Sequence, residues 1–150
     1  MSKYRIIIAD DIEDNLIRIE KVLNNIANVE IVGKAKNGEE ELEKISELHP
    51  DLVLTDNQMP LLNGIDVIDK IRNEYKGQSD IDFIIITADR NLTQRALSLN
   101  VFSIINKPYE DSKIIDTINE YIESLEYKKE NIKEDNSQTF FSKIFKRKNK

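Results

Sequence analysis

The sequence contains no cysteine and a single histidine, His49. Without cysteine there can be no disulfide, no thiol nucleophile and no cysteine-ligated metal. A bound cation would therefore be held by oxygen atoms or by His49, and oxygen ligands favour hard metals. His49 directly precedes Pro50 at the end of a predicted helix, so we interpret it as a residue of the helical C-terminal turn and not as a phosphohistidine.

Glycines and long apolar runs are also scarce. The four glycines lie too far apart to form a phosphate-binding P-loop or a dinucleotide-binding fingerprint. Apolar stretches such as residues 6–9 are much shorter than the roughly 18 residues that indicate a membrane span. The N-terminus has too few apolar residues before Asp10 for a secretory signal. We therefore expect a cytoplasmic protein.

Acidic residues outnumber basic ones, 28 to 22, which gives a formal net charge of −6. This balance argues against a chain that neutralises nucleic-acid phosphates over its whole surface, so direct nucleic-acid binding is not expected. A length of 150 residues suits one compact domain. The charge is uneven, because residues 140–150 carry five basic side chains and no acidic one.

Five short runs rich in β-branched residues predict five strands, at residues 4–9, 29–35, 52–55, 83–87 and 103–105. Most are continuously apolar, which is typical of strands covered on both faces. The segments between them carry apolar residues three or four positions apart, which predicts amphipathic helices. This alternation predicts a (βα)5 doubly wound parallel sheet, with its ligand crevice at the carboxyl ends of the strands.

Polar residues follow four of the five predicted strands, and all should meet at that crevice. They are Asp10 and Asp11 after strand 1, Asp56 after strand 3, Thr87 after strand 4 and Lys107 after strand 5. Singly, each also suits a cap, a strand or a turn. Together, three carboxylates would repel one another unless a cation compensated them, and Mg²⁺ is the natural oxygen-bound candidate. An added ammonium and hydroxyl would make a phosphoryl site, with Asp56 as the nucleophile.

These residues stand in a recognisable order. The pairs Asp10-Asp11, Thr87-Ala88 and Lys107-Pro108, with the stretch 56–60 and Gly64, resemble the receiver (response-regulator) domain of two-component signalling. The resemblance covers about residues 3–125. It implies a flavodoxin-like fold of strand order 2-1-3-4-5. It also implies that a sensor histidine kinase or phosphotransfer protein phosphorylates Asp56.

The same resemblance implies roles for the other site residues. Mg²⁺ would be held by Asp11, Asp56 and the backbone carbonyl of Gln58, with Asp10 acting at least partly through water. Thr87 and Lys107 would contact the phosphoryl oxygens. No classical enzyme is expected, only self-catalysed phosphotransfer and slow autodephosphorylation. A downstream protein would read about residues 90–125, which would change shape on phosphorylation.

One position departs from the family pattern. Ile104 stands where the family commonly has an aromatic residue that swings inward on activation, and a branched aliphatic side chain cannot reproduce that rotation. Gln58 and Asp89 occupy positions that tune acyl phosphate lifetime in the family. Ile104 favours one alternative, a non-phosphorylated receiver-like interaction module. A second alternative also stays open, the receiver portion of a longer DNA-binding regulator.

The C-terminal part differs in composition from the rest. We predict a receiver domain at 1–125, a charged helix extension or linker at 126–139 and a basic amphipathic tail at 140–150. On a helical wheel, three phenylalanines and Ile144 form an apolar sector opposite Lys143 and Lys146. Such a tail would bind a membrane surface or an acidic partner. The alternative is a disordered, solubilising tail.

Overall fold

The computed structural model describes the backbone of residues 3–78 and 80–148 and, except for residues 76 and 134–148, their side chains. The chain divides into two compact units, Met1–Ile115 and Asp116–Lys150. The first unit contains the whole sheet and ends before the predicted boundary at residue 125.

The sheet has five parallel strands in the order β2-β1-β3-β4-β5. This order confirms the predicted flavodoxin-like, doubly wound fold, and every predicted strand is present to within one residue at each end. The strands are β1 Tyr4–Ala9, β2 Val29–Ala35, β3 Leu52–Asp56, β4 Asp82–Thr87 and β5 Ser103–Asn106.

Five α-helices alternate with the strands: α1 Glu13–Asn24, α2 Gly38–Leu48, α3 Gly64–Glu74, α4 Thr93–Ser98 and α5 Asp111–Lys148. Short 3-10 turns occur at Lys76–Gln78 and Arg90–Leu92. Because the chain alternates strand and helix, both faces of the central strands are covered, and all five residues of β3 are buried. The continuous apolar runs of the sequence thus correspond to the most buried strands.

The two ends of α2 are formed by local hydrogen bonds. At its start, the Asn37 side chain caps the helix by accepting a hydrogen bond from the Glu40 amide at 2.8 Å. At its end, His49 adopts a left-handed conformation with φ 47°, and its amide donates to the Ile45 carbonyl at 3.0 Å. This geometry confirms His49 as a residue that terminates the helix.

The start of α2 lies against the loop between β3 and α3. A Cβ atom added at Gly38 would lie 2.3 Å from the Leu62 backbone oxygen, so only glycine permits this approach. The Gly38 amide also donates to the Pro60 carbonyl at 3.3 Å. The loop that follows Asp56 is therefore supported by α2.

Leu61, in the same loop, combines a left-handed backbone with an exposed apolar side chain, at φ 71° and 68% exposure. The left-handed region costs an L-residue roughly 1–2 kcal/mol, a cost that glycine avoids. We therefore expect Leu61→Gly to raise the free energy of unfolding by about 1 kcal/mol, measured by urea denaturation.

Leu97 provides the matched control, because it is also exposed, at 60%, but lies within helix α4. Leu97→Gly is expected to lower the free energy of unfolding by about 1 kcal/mol, since glycine is a poor helix former. Equal signs for the two substitutions would contradict the assignment of strain to Leu61.

The second unit, Asp116–Lys150, contains most of helix α5. The backbone of α5 is helical as far as Lys148, and Tyr127 and Ile132 are exposed on it. Within the described part of the chain, no helix combines the length and apolar character required to cross a membrane. The predicted amphipathic tail at 140–150 falls on side chains outside the described part, so it stays a prediction.

Candidate functional site

Asp56 is the last residue of β3, and its carboxylate is held from two sides. Its Oδ1 accepts a hydrogen bond from the Gln58 amide at 2.8 Å. Its Oδ2 accepts from the Lys107 ammonium, forming an ion pair. Asp56 is only 2% exposed. It nevertheless lies at the carboxyl edge of the sheet, which is where ligands bind in parallel α/β folds.

Asp10 follows β1, the strand that neighbours β3. Its Oδ1 accepts from the Ile12 amide at 2.9 Å and its Oδ2 from the Asn15 side chain at 3.2 Å. Burial raises the pKa of Asp10 to about 6, the Ile12 amide opposes the shift, and the charge of Asp56 and a hydrogen bond to it raise the pKa further. Asp10 and Asp56 are therefore a closely spaced acidic pair.

Lys107 directly follows β5, the strand that pairs with β4. Its backbone amide donates to the carbonyl of Thr87, the last residue of β4, at 2.9 Å. Burial lowers the pKa of the ammonium, but the hydrogen bond to Asp56 and the charges of Asp56 and Asp10 outweigh burial, so the pKa is raised overall. Lys107 thus carries a positive charge directly against Asp56.

Thr87 ends β4 and is 1% exposed. Asp56 pairs in register with Ile86, so Thr87 lies one residue beyond that partner, toward the crevice. Its hydroxyl oxygen accepts a hydrogen bond from the Asp89 amide at 2.9 Å. The hydroxyl is therefore engaged with the loop that leads into α4, through a single hydrogen bond that can be exchanged.

Asp11 and Gln58 are exposed, unlike Asp10 and Asp56. Consecutive residues at a strand end point in different directions. The Asp10 carboxylate is buried and accepts from the Ile12 amide and the Asn15 side chain, while Asp11 is exposed. Among the described residues, no group of three or more acidic or histidine side chains is arranged to hold a metal ion. The structure therefore brings together two of the three predicted carboxylates.

Two carboxylates nevertheless suit Mg²⁺, which is usually bound through one or two carboxylates and retains several waters. Burial is the main reason that the pKa of Asp10 is raised, and the negative charge of Asp56 raises it further. The donor set of oxygen atoms and the excess negative charge both fit a small hard divalent cation. The predicted metal site, formed by Asp10, Asp11, Asp56 and the Gln58 backbone carbonyl, stays a prediction.

Buried polar contacts shape the loop after Asp56. The Asn57 amide donates to the Ile86 carbonyl at 2.9 Å, and its side-chain oxygen accepts from the Ile65 amide at 3.1 Å. At Gly64, an added Cβ would lie 2.8 Å from the Asp56 carbonyl oxygen. These contacts tie the loop to β4 and α3, which positions Gln58 at the site.

Sequence reasoning missed a buried acid beneath this site. Glu41 of α2 is 0% exposed, and its Oε2 accepts from the Thr55 hydroxyl at 2.9 Å. Burial raises the pKa of Glu41 to about 8, and the Thr55 hydrogen bond partly opposes the shift. Among the described residues its Oε1 has no hydrogen-bond partner. Glutamate in a charged helical stretch is normally exposed, so the sequence pattern carries no signal of this burial.

Comparison with known proteins identifies this arrangement of residues. The family model of the response regulator receiver domain matches residues 6–119. The chain belongs to the response regulator receiver domain family. The motif residues at positions 10, 56, 87 and 107 all lie within the matched region, which confirms the resemblance inferred from the sequence.

Two curated relatives illustrate the range of proteins that contain this receiver domain. The chemotaxis protein CheY of Thermotoga maritima is 31% identical over 117 residues, which cover 77% of this chain and 94% of CheY. A protein-glutamate methylesterase/protein-glutamine glutaminase of Trichodesmium erythraeum is 35% identical over 113 residues, 72% of this chain. The match spans only 31% of that methylesterase, so its resemblance concerns the receiver portion.

Solved structures share the fold of this receiver domain. The response regulator domain of Thermotoga maritima CheB has a TM-score of 0.69 at 24% identity, covering 81% of this chain and 95% of that one. A chain from the CheX-CheY-BeF3-Mg²⁺ complex of Borrelia burgdorferi gives a TM-score of 0.72 at 21% identity. The match covers 81% of this chain and 90% of that one.

Ile104 is the residue at which this receiver domain departs from the expected pattern. It pairs in register with Ile85 and is half-buried, packed against the core that also contains Ile85 and Ala96. Its side chain therefore already packs against the core at the sheet.

Proposed function

We propose that this receiver domain is a phosphorylation switch that accepts a phosphoryl group on Asp56. The observation that carries this proposal is the buried Asp10–Asp56 pair with the Lys107 ammonium on Asp56, at the carboxyl edge of the sheet. Such a cluster supplies a nucleophilic carboxylate together with a fixed cation for the oxygens of an incoming phosphoryl group.

In the proposed transfer, a carboxylate oxygen of Asp56 forms a bond to phosphorus. The bond between phosphorus and the donor breaks, and its electron pair leaves with the donor, which is the phosphohistidine of a sensor histidine kinase or of a phosphotransfer protein. The Lys107 ammonium stabilises the charge on the transferred oxygens. Autodephosphorylation is the slow attack of water on the same acyl phosphate, and no classical enzymatic activity is proposed.

Mg²⁺ is expected to be held by Asp11, Asp56 and the backbone carbonyl of Gln58, with Asp10 acting at least partly through water. When bound, the cation supplies charge neutralisation between two anionic reactants. A receiver-fold neighbour comes from a crystal of a CheX-CheY-BeF3-Mg²⁺ complex, which supports magnesium dependence for this family.

The Thr87 hydroxyl is the group through which phosphorylation of Asp56 would change the conformation of the loop leading into α4. An acyl phosphate on Asp56 adds close to two negative charges and several acceptor oxygens. Thr87 can then exchange its contact with the Asp89 amide for a hydrogen bond to the phosphoryl group. The loop leading into α4 would follow, without the inward rotation of an aromatic ring, because Ile104 stands in its place.

The proposed partners follow from this chemistry. The phosphodonor contacts the site itself, and a downstream protein reads about residues 90–125. We propose the division into a receiver at 1–125, a charged extension at 126–139 and a tail at 140–150 that contacts a membrane surface or an acidic partner. A cytoplasmic location, where the phosphodonor is available, completes the proposal.

A mass measurement tests the reaction and its metal requirement. Incubating the protein with acetyl phosphate and Mg²⁺ is expected to add about 80 Da, the mass of one phosphoryl group, as read by intact-mass spectrometry. Chelating the metal with EDTA is expected to remove most of this gain, because the acidic pair then repels the donor. Hydroxylamine should reverse the gain, since it cleaves acyl phosphates.

Other outcomes discriminate between the alternatives. An equal gain with and without EDTA would contradict the magnesium role. A gain that resists hydroxylamine would place the phosphoryl group on a hydroxyl and not on a carboxylate. No gain under any condition would favour a non-phosphorylated interaction module.

A further inference from the structure

Arg18, on helix α1, contacts the segment that follows Lys107 in three ways. Its Nε donates to Asp111 Oδ1 at 2.7 Å, and its Nη2 donates to the Tyr109 carbonyl at 2.9 Å. Its guanidinium also lies over the Tyr109 ring, 4.6 Å from the centroid. One side chain thus binds a backbone oxygen, a carboxylate and an aromatic face, all within the few residues after Lys107.

These contacts complete the attachment of the segment that carries Lys107. On the N-terminal side, the Lys107 amide is held by the Thr87 carbonyl at 2.9 Å. On the C-terminal side, Tyr109 and Asp111 are held by Arg18. The backbone from which the ammonium extends is therefore anchored to β4 on one side and to α1 on the other.

Tyr109 is affected by the charges of both Arg18 and the acidic pair. Burial raises its pKa, the positive charge of Arg18 opposes the shift, and the charges of Asp10 and Asp56 act on it as well. The ring that Arg18 covers is thus close enough to the site to respond to both carboxylates. Arg18 touches neither carboxylate through any described hydrogen bond, so its influence on the site passes through this segment.

We propose that Arg18 is a positioning residue for phosphoryl transfer: by holding Tyr109 and Asp111, it places the Lys107 ammonium on the phosphoacceptor carboxylate. This proposal rests on the proposed function of Asp56. Arginine suits this role because its planar guanidinium donates hydrogen bonds in two directions while its face stacks on an aromatic ring. Lysine, in contrast, offers only a point charge.

The first arm of the test measures rates. Initial rates of phosphorylation by acetyl phosphate with Mg²⁺ are followed by intact mass. Arg18→Ala is expected to slow the reaction on the order of ten- to a hundredfold, the effect of a small displacement of a group that stabilises the transferred oxygens. Arg18→Lys is expected to recover only a minor part of this loss, since it cannot make all three contacts.

Arg5→Ala is the matched control. The Arg5 guanidinium also bridges two groups, the carbonyl oxygens of Leu48 and His49, at 2.6 Å and 3.0 Å. It lies at the start of β1, at the amino edge of the sheet, and makes no described contact with the segment after Lys107. We expect its rate to stay within about twofold of wild type, because none of its described contacts reaches the site.

The second arm observes Lys107 directly. The protein is labelled with ¹³C at lysine Cε, and the Lys107 resonance is assigned by its loss in Lys107→Ala. This resonance is expected to shift toward the position of solvent-exposed lysines in Arg18→Ala and not in Arg5→Ala. An unchanged Lys107 resonance in a slowed Arg18→Ala would overturn the proposal, as would a wild-type rate. If wild-type protein itself gained no mass, the proposed function would fail, yet this arm would still decide whether Arg18 positions Lys107.

Discussion

Replacing Asp56 with asparagine is expected to abolish the mass gain from acetyl phosphate and Mg²⁺ completely. The amide oxygen is a poor nucleophile and asparagine cannot form an acyl phosphate, so the reaction has no acceptor. The substitution is nearly isosteric and keeps an oxygen that can accept from the Gln58 amide, which wild-type Asp56 Oδ1 does at 2.8 Å. The loss would therefore report on chemistry and not on unfolding, which a thermal melt followed by circular dichroism checks.

Asp51 supplies the control at the opposite end of the same strand. It is exposed just before β3, and its Oδ2 accepts from the Arg5 amide at 2.8 Å. Asp51→Asn should keep the full gain of about 80 Da, since it lies at the amino edge of the sheet, away from Lys107. If Asp56→Asn retained the gain, another residue would be the acceptor and the proposed switch would be wrong.

Glu41 is expected to make the stability of the fold strongly dependent on pH. An unfolded glutamate has a pKa of about 4.3, whereas burial raises the pKa of Glu41 to about 8. Between these values the folded state keeps a proton that the unfolded state has released. The contribution of Glu41 to the free energy of unfolding is therefore fully present below the pKa of the unfolded state. This contribution decreases as the pH rises and levels off above about pH 8.

The size of this effect follows from the linkage relation. One pKa unit corresponds to about 1.4 kcal/mol, so the ionisation of Glu41 should lower the free energy of unfolding by about 2 kcal/mol between about pH 6 and about pH 8. Glu41→Gln keeps the shape and an acceptor for the Thr55 hydroxyl but cannot ionise. Urea denaturation from about pH 6 to about pH 9 should show a much flatter profile for this variant, and higher stability than wild type at the alkaline end.

Glu39→Gln is the appropriate control, because Glu39 is an exposed residue in the first turn of the same helix. Its pH profile should run parallel to that of wild type. Subtracting each variant from wild type also removes the contribution of Asp10, whose raised pKa of about 6 affects the acidic side of the range. Parallel profiles for Glu41→Gln and wild type would mean that Glu41 does not carry a buried proton.

The location of Glu41 connects this stability effect to the site. Its hydrogen-bond partner Thr55 directly precedes Asp56, and the Thr55 hydroxyl also lies 3.3 Å from the Asp56 carbonyl oxygen. Gly64 packs closely on both Thr55 and the Asp56 backbone. The buried Glu41 side chain therefore supports the end of β3 that presents the proposed phosphoacceptor Asp56. Ionisation of Glu41 is expected to weaken this support.

The sequence predicted the strands well because burial on both faces leaves a direct trace in composition. The apolar run at residues 52–55 corresponds to β3, whose residues are all buried. The same reasoning located Asp10, Asp56, Thr87 and Lys107, since polar residues that directly follow buried parallel strands must come to one edge of the sheet. The cap formed by Asn37 was predictable for a similar reason, because its partner Glu40 lies only three residues away.

The order of the elements and the residues at the strand ends can thus be read from the sequence, because both depend on neighbours along the chain. Tertiary structure alone decided that Glu41 is buried under Thr55 and that Arg18 holds Tyr109 and Asp111. It also decided that Asp10 turns inward while Asp11 faces solvent. These outcomes depend on contacts between residues far apart in sequence, and a helical glutamate or arginine has the same local pattern whether it meets such a partner or water.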